Sequence, residues 1–460
     1  MLTVEKIGGT SMIHFSDVLN NIILKKRSKD GYYSRMFVVS AYQDVTNGLL
    51  EHKKNGTAGI YTKFVNQENY VQALDNLLFQ LSQINQQFVS LGLNLKAANK
   101  YIKLRIQKTQ NYLDSMMDVL TSGYVEKQSI LLAARELLAS IGEAHSAFNT
   151  TNILNNHDLN ATFIDLSGFH DLEYLTIDQR IDKELAEIDY TKTIPIITGY
   201  TKGTEGLMRE FDRGYSEVTF SKIALKFKAD EAIIHKEYHL SSADPNIVGI
   251  EHCLPVCFTN YDVADQLADI GLEAIHPKAA KPLELAKINL RIKNTFEPDH
   301  PGTLITKDYL GPNSKVEIIA GAKDVFVIEV HDPSMVGEVG FDMRLMEIFV
   351  KHNISYIAKT TNANSISILI WDHPRNQKLV RDLRKQYPVI TAKEVAVVSI
   401  IGSNIATIGM IAKAATALAE NQINIECTSQ SLRQVNAQFF VPRKDYAKAI
   451  IALNKAFFRD

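Results

Sequence analysis

The feature that most constrains how this chain can fold is a repeat in its rear third. A unit of strand, helix and two further strands occurs twice at similar length. In the first copy, residues 325–330 read as a strand, a glycine-containing turn follows at 335–340, a helix runs to Lys351, and strands lie around 354–359 and 365–370. In the second, 394–400 is strand, 409–420 helix, 423–428 and 436–441 strands, and 446–457 a closing helix. This spacing predicts two small α+β domains, at 315–390 and 391–460.

The front of the chain is built differently. Residues 2–7 alternate weakly and run into Gly8-Gly9, and 36–39 form an apolar run ending at Ser40-Ala41. Residues 17–26 between them have helical spacing, which makes a β-α-β start and predicts a parallel sheet with helices outside. Residues 60–150 lack proline, and Leu77, Leu78, Leu81, Ile84 and Phe88 fall at three- and four-residue steps, so 60–130 is expected to be largely helical. Strand-like runs resume at 161–164, 194–198, 231–234 and 255–259, a second α/β half. Residues 294–302 collect two prolines, a glycine and two acids, a turn-rich exit from a first domain spanning 1–300.

A chain of 460 residues exceeds what one core usually spans. Net charge is -2, which argues against nucleic acid or an acidic membrane surface as main partner. Cys253, Cys257 and Cys427 cannot form a disulfide framework and read as free thiols in a reducing cytosol. No apolar run approaches the roughly 20 residues of a membrane span, and the N-terminus carries no cationic leader, so a cytoplasmic location is expected.

Three segments carry candidate chemistry. In Lys6-Ile7-Gly8-Gly9-Thr10-Ser11 a strand ends in two glycines, which lets the backbone approach an anion and present N–H groups, while Lys6 adds a point charge and Thr10 and Ser11 offer hydroxyls. The lysine precedes the glycines, so this is not a Walker loop. The strand at 194–198 runs into the glycine-rich 199–206, at the strand end where open α/β sheets bind ligands. In Asp212-Arg213-Gly214-Tyr215-Ser216-Glu217, Arg213 could clamp a carboxylate and Ser216 add a donor at a helix start. Each has a plain alternative: a tight turn, or a capping serine beside an exposed arginine. His235, Glu237 and His239 alternate, so on a strand they would share a face and a metal site is conceivable.

The order KIGGTS, VVSA with Thr46-Asn47, SIGE, ITGY, DRGYSE and IHP resembles that of aspartate kinases. The likeness continues through RIKNTF at 291–296 and PGTLI at 301–305, and the rear repeat resembles that family's paired ACT domains, with Ser429-Gln430 and Asn436 matching the second. The resemblance implies a three-layer αβα amino-acid kinase fold with a mostly parallel sheet, followed by two ferredoxin-like α+β ACT domains. It implies ATP with Mg2+ and L-aspartate as acceptor. Lys6 would sit on the transferring phosphoryl group, with Gly8, Gly9, Thr10 and Ser11 lining the phosphate cradle; Lys6, Gly9 and Arg213 would be catalytic. Ser40, Thr46, Glu143, Arg213 and Ser216 would hold aspartate, and His235, Lys236 and Ser241 would complete the nucleotide site. Magnesium would arrive bound to the ATP phosphates, with few protein ligands. A homodimer or higher homo-oligomer is implied, with an amino-acid effector, lysine or threonine, at the ACT pair; the turn at Met335-Val336-Gly337 is either an effector site or a plain turn.

The chain also departs from the family. Tyr215 stands where a glycine is usual and Glu217 where an aspartate is; Lys236 replaces an acid, Asn246 an arginine and Glu273 a lysine. The stretches RGYSEVTFSKIA and IHKEYHLSSADP resemble a divergent aspartate kinase branch found beside ectoine-synthesis genes. Two other readings stay open: a catalytically weak amino-acid sensor on a kinase scaffold, and a kinase for glutamate, acetylglutamate or carbamate.

Overall fold

The structure is a computed structural model and describes residues 1–25, 29–52, 56–169, 171–211, 214–272 and 274–459. The chain divides into two compact units. The first comprises Met1–His239 and Ile275–Gly302, the second Leu240–Ala274 and Thr303–Asp460.

The first unit is built on a parallel sheet. Strands β1 (Thr3–Ile7), β2 (Arg35–Val39), β3 (Ala161–Ile164), β4 (Ile194–Thr198) and β5 (Glu231–Lys236), with the strand Asn289–Asn294, lie in the order β3-β4-β2-β1-β5 and then Asn289–Asn294. Every neighbouring pair is parallel. RMFVV of β2 and IPIIT of β4 are buried along their whole length, as continuous apolar strands covered on both faces should be. β1 is flanked by β2 on one side and β5 on the other, so the chain reverses its direction of winding there. Ligands bind such sheets outside the carboxyl ends of the strands at this switch point.

The proline-free stretch forms the helices Tyr70–Gln87, Leu95–Ser122 and Lys127–Asn156. The expected stripe is buried at Leu77, Leu81 and Ile84, while Asn69 and Asn94 cap the first two helices through their side-chain oxygens. The helix expected at 17–26 is instead broken into Gly9–Ile13, Phe15–Asp17 and a π-helical turn Val18–Ile23. The wider turn still buries Val18, Leu19, Ile22 and Ile23.

The helix Lys127–Asn156 is buried almost without interruption from Leu138 to Ala147, because it passes through the core rather than over it. Some of its polar side chains pair inside that core. His145 Nε2 lies 2.7 Å from Asn85 Oδ1, and Asn149 Nδ2 donates to the same oxygen at 2.8 Å and to the Tyr42 hydroxyl at 3.3 Å. Burial pushes the His145 pKa down from 6.5 to about 3. The folded chain therefore holds His145 neutral where the unfolded chain protonates it. This contribution is full above the unfolded value of about 6.5 and is lost as pH falls toward the folded one. We expect His145→Gln to flatten the acid limb of the stability curve by about 2 kcal/mol between pH 7 and pH 5. Urea midpoints at the two pH values check this, and identical pH dependence in both proteins would contradict it.

In the second unit the six-stranded sheet runs Ala358–Thr361, Ser365–Trp371, Ile318–His331, Val389–Ile401, Asn436–Pro442, Cys427–Gln430, with every pair antiparallel. The first strands of the two repeats are the central pair. They run well past the lengths expected at 325–330 and 394–400, since each is the other's partner from Ile318↔Ile401 to His331↔Val389. Sequence periodicity misses this because Gly321, Lys323 and Asp324 interrupt the apolar pattern. The helices Phe341–Lys351 and Asn376–Arg384 cover the first repeat; Met410–Glu420 and Tyr446–Phe458 cover the second. The run at 255–259 forms the strand Phe258–Asn260, which pairs in parallel with Thr303–Thr306 inside this second unit. Among the described residues no helix is long and apolar enough to cross a membrane.

Candidate active site

Alternation along β1 sends Glu5 and Lys6 to opposite faces of the sheet. On one face Glu5 takes two bonds from Arg35, at 2.6 and 3.0 Å, and lies 2.8 Å from His235 Nε2. Burial alone would raise the Glu5 pKa, but Arg35 and His235 hold it well below the usual carboxylate range. On the other face Lys6 Nζ lies 3.2 Å from Glu217 Oε1, and both side chains are only 11% exposed. Glu217 also accepts the His276 backbone N–H at 2.6 Å. Its burial favours the neutral acid, and Lys6, Lys236 and the His276 N–H outweigh that and keep its pKa below the ordinary value. Lys236 ends β5 two positions beyond Ile234, the register partner of Lys6, so it shares the Lys6 face. Two cations, Lys6 and Lys236, therefore flank one fixed carboxylate at the strand ends.

The glycines of this edge are there for close approach. A Cβ on Gly9 would stand 2.8 Å from Ala41 O, so the loop after β1 and the loop after β2 meet backbone to backbone. Ser40 N donates to Ile7 O at 3.1 Å, and the Ser40 carbonyl accepts from Ser146 Oγ at 2.8 Å. A Cβ on Gly199 would lie 2.5 Å from Ser216 Cβ and 2.9 and 3.0 Å from the two Glu143 carboxylate oxygens. Ser40 Oγ and Ser216 Oγ are 3.4 Å apart. The Thr46 side chain offsets part of the burial that pushes the Tyr215 phenol's pKa up.

Glu143 is 1% exposed. Burial raises its pKa to about 8, against the opposing pull of Lys6, the Ser216 hydroxyl and the backbone N–H groups of Tyr200 and Ala41. Its Oε2 is buried and has no hydrogen-bond partner. A carboxylate this deep, with one oxygen unpartnered beside two hydroxyls, suits a cationic group brought by a ligand.

The structure thus gathers Lys6, Gly9, Ser40, Glu143 and Ser216 at one edge, with Lys236 on the same face. Other expected residues lie elsewhere. His235 was placed with the nucleotide; its register with Ile7 turns its ring to the opposite face, into the Glu5–Arg35 cluster. Ser11 was placed in the phosphate cradle; its hydroxyl is fully buried, donating to Glu237 Oε1 at 3.2 Å and accepting from Thr295 at 3.1 Å. Gly8 is half-buried and Thr10 exposed. Ser241 belongs to the second unit. Arg213, Asp212 and Glu273 lie outside the described residues. Among the described residues no group of three or more His, Cys, Asp or Glu could hold a metal ion. Sequence reasoning noted Glu217 only as a replacement and gave it no role; the signal is an acid two residues into a helix that follows a glycine turn, one turn from solvent yet buried. Gly199, the last residue of the IPIITG run, is the close contact that admits Ser216 to Glu143.

The strand-end edge, with its closely approaching glycines and two lysines, fits a polyphosphate. The model of the amino acid kinase family matches residues 1–294, and that of an ACT domain matches 398–457. The chain is 44% identical over 465 residues to the aspartate kinase Ask_Ect of Stutzerimonas stutzeri (strain A1501), covering 99% of this chain and 97% of that protein. It is 26% identical to the chloroplastic aspartokinase 1 of Arabidopsis thaliana over 75% of this chain and 64% of that one. Among solved structures, Clostridium acetobutylicum aspartate kinase superposes with TM-score 0.72 at 21% identity, covering 99% of this chain and 100% of that chain. E. coli aspartokinase III in complex with aspartate and ADP gives TM-score 0.72 at 18% identity, with 100% of both chains covered. Fold and site define an amino acid kinase with ACT domains behind it. Within that family the chain belongs to the aspartate kinases, and it is an ATP-dependent phosphotransferase.

Proposed function

We propose that this enzyme transfers the γ-phosphate of ATP to the β-carboxylate of L-aspartate, giving 4-phospho-L-aspartate. The observation that carries the reading is the buried, unpartnered Oε2 of Glu143, set beside Ser40 and Ser216 and within the field of Lys6. An α-ammonium group pairs with Glu143; the free carboxylate then faces Lys6. Arg213 is assigned the α-carboxylate from its sequence context alone. The acceptor carboxylate is already ionised near neutrality, so no general base is needed. The chain's own work is alignment and charge neutralisation, by Lys6 held on Glu217 and by Lys236. ATP supplies the phosphoryl group, and magnesium comes bound to it.

The 44% identity to Ask_Ect supports placing the reaction at the head of aspartate-family amino-acid or ectoine synthesis. Lysine or threonine is the effector we assign to the ACT pair; E. coli aspartokinase III has been solved with lysine and aspartate, which supports the first of these. We place the enzyme in the cytoplasm as a homo-oligomer, as the sequence resemblance implies. ATP, magnesium and aspartate with hydroxylamine as trap are expected to yield aspartyl hydroxamate. Its absence across a range of magnesium concentrations, with an active control kinase, would remove the proposal.

A further inference from the structure

We propose that the first unit carries a second small-molecule site, on the face of its sheet turned away from Lys6, which binds an organic phosphate through Lys25 and Lys293.

A cavity of about 620 Å³ lies within the first unit. Strand alternation and register set its floor. Thr3 and Glu5 of β1 point to the face opposite Lys6. Arg35 stands beside Thr3, Ile233 beside Glu5, and Lys293 beside His235 in the parallel ladder. All six line the cavity, whereas Lys6 and Glu217 do not. The cavity is therefore a place apart from the active-site edge.

The floor is settled internally. Arg35 bonds the Glu5 carboxylate at 2.6 and 3.0 Å and the carbonyls of Ile22 and Ile23 at 3.0 and 3.3 Å. The Thr3 hydroxyl donates to the same carboxylate at 2.9 Å. A buried ion pair with its hydrogen bonds made holds the sheet and the helical turn together and has no charge left for a ligand. Recognition falls to the rim.

There Lys25 follows the π-helical turn, and Lys293 sits near the end of the strand Asn289–Asn294. Their Nζ atoms lie 2.6 and 3.3 Å from the same Pro298 carbonyl oxygen, so the two like charges stand no more than about 6 Å apart and repel. An anion placed between them relieves that repulsion. Asp299 lies 2.8 Å from Lys25, but its side chain is 95% exposed. An ion pair that open contributes little and exchanges readily for an anion from solution.

The charge count selects the class of ligand. A carboxylate brings one charge, which Asp299 already provides. A phosphate monoester brings close to two near neutrality and three oxygens, enough to meet both ammoniums at once. Behind the lysines the buried Ile22 and Ile233 and the half-buried Tyr33 offer apolar wall for an organic body. The volume is that of an ordinary small-molecule site.

The test is calorimetric titration of the full-length protein, with MgADP and aspartate present in excess to keep the active site filled. Phenyl phosphate, inorganic phosphate and benzoate serve as probes. We expect phenyl phosphate to bind saturably at one site per chain, more tightly than either other probe. Lys25→Gln/Lys293→Gln keeps donors for the Pro298 carbonyl but removes both charges, and should weaken phenyl phosphate by about tenfold or more. Lys25→Arg/Lys293→Arg should restore most of the affinity. The inference falls if the wild type shows no saturable binding, or if the glutamine pair binds as the wild type does. Benzoate binding as tightly as phenyl phosphate overturns the choice of a phosphate, and inorganic phosphate doing so overturns the organic body. Should the glutamine pair not fold, Lys25→Gln and Lys293→Gln singly give the same readout, each expected to weaken phenyl phosphate.

Discussion

Lys6→Met is expected to lower kcat by about 10²–10³-fold while leaving a folded protein. Lys6 lies on the central strand with the transferring phosphoryl group as its proposed target, and Glu217 fixes its ammonium at 3.2 Å. Removing it takes away a charge that strengthens its hold as the transition state forms. It also strands a buried carboxylate. Glu217 keeps the His276 N–H and the neighbouring Lys236, so the loss of stability should be about 2 kcal/mol rather than collapse. The two effects can be separated. Lys6→Met combined with Glu217→Gln should recover most of the lost melting temperature and none of the lost turnover. Steady-state rates and thermal melts on the three proteins make the comparison; a single Lys6→Met variant retaining a tenth of wild-type kcat would exclude the role given to Lys6.

Glu143→Gln is expected to raise KM for aspartate by about 100-fold and, in the same protein, to raise stability at alkaline pH. The sign follows from burial. The folded pKa of Glu143 is raised from 4.5 to about 8, so the folded chain binds a proton that the unfolded chain has released. Stability is full below the unfolded value and is lost as pH rises through the folded one. Glutamine, never charged, escapes that loss. An arriving ammonium group does the reverse and draws the proton off the wild-type carboxyl. Aspartate binding near pH 6.5 should then release close to one proton per site, visible as a buffer-dependent heat in calorimetry. Wild-type binding heats that do not depend on the buffer, or an unchanged KM in Glu143→Gln, would dismiss Glu143 as the ammonium partner.

Much of the architecture was legible because its signals are local. The glycine pair after β1, the apolar run of β2 and the helical stripe at Leu77 to Ile84 each declare themselves within a dozen residues, and the rear repeat is a recurring order of such short runs. What escaped depends on partners far along the chain. The central strands of the second unit gain their length from pairing across the repeat, which no local pattern encodes. The site shows the same division. Lys6 and Gly9 could be named from one hexapeptide, but which face of β5 turns toward Lys6 is a matter of register. One step of alternation separates Lys236, which faces Glu217, from His235, which does not. Ser11 shows a related effect: a hydroxyl beside a glycine loop looks available in sequence, while Glu237 and Thr295, more than two hundred residues away, bind it.

The path of the chain between its two units bears on how such enzymes can be rebuilt. It leaves the first unit after His239, returns at Ile275 and departs again after Gly302. The excursion carries Val256, Val263, Leu267 and Ile270, which are buried with Ile318, Val325 and Val397 of the second unit. Catalyst and regulator are thus not two cassettes joined by one splice point. A swap of control modules at residue 300 would leave those apolar side chains behind without their core. A working chimera needs three junctions, and the donor's excursion must travel with the donor's sheet.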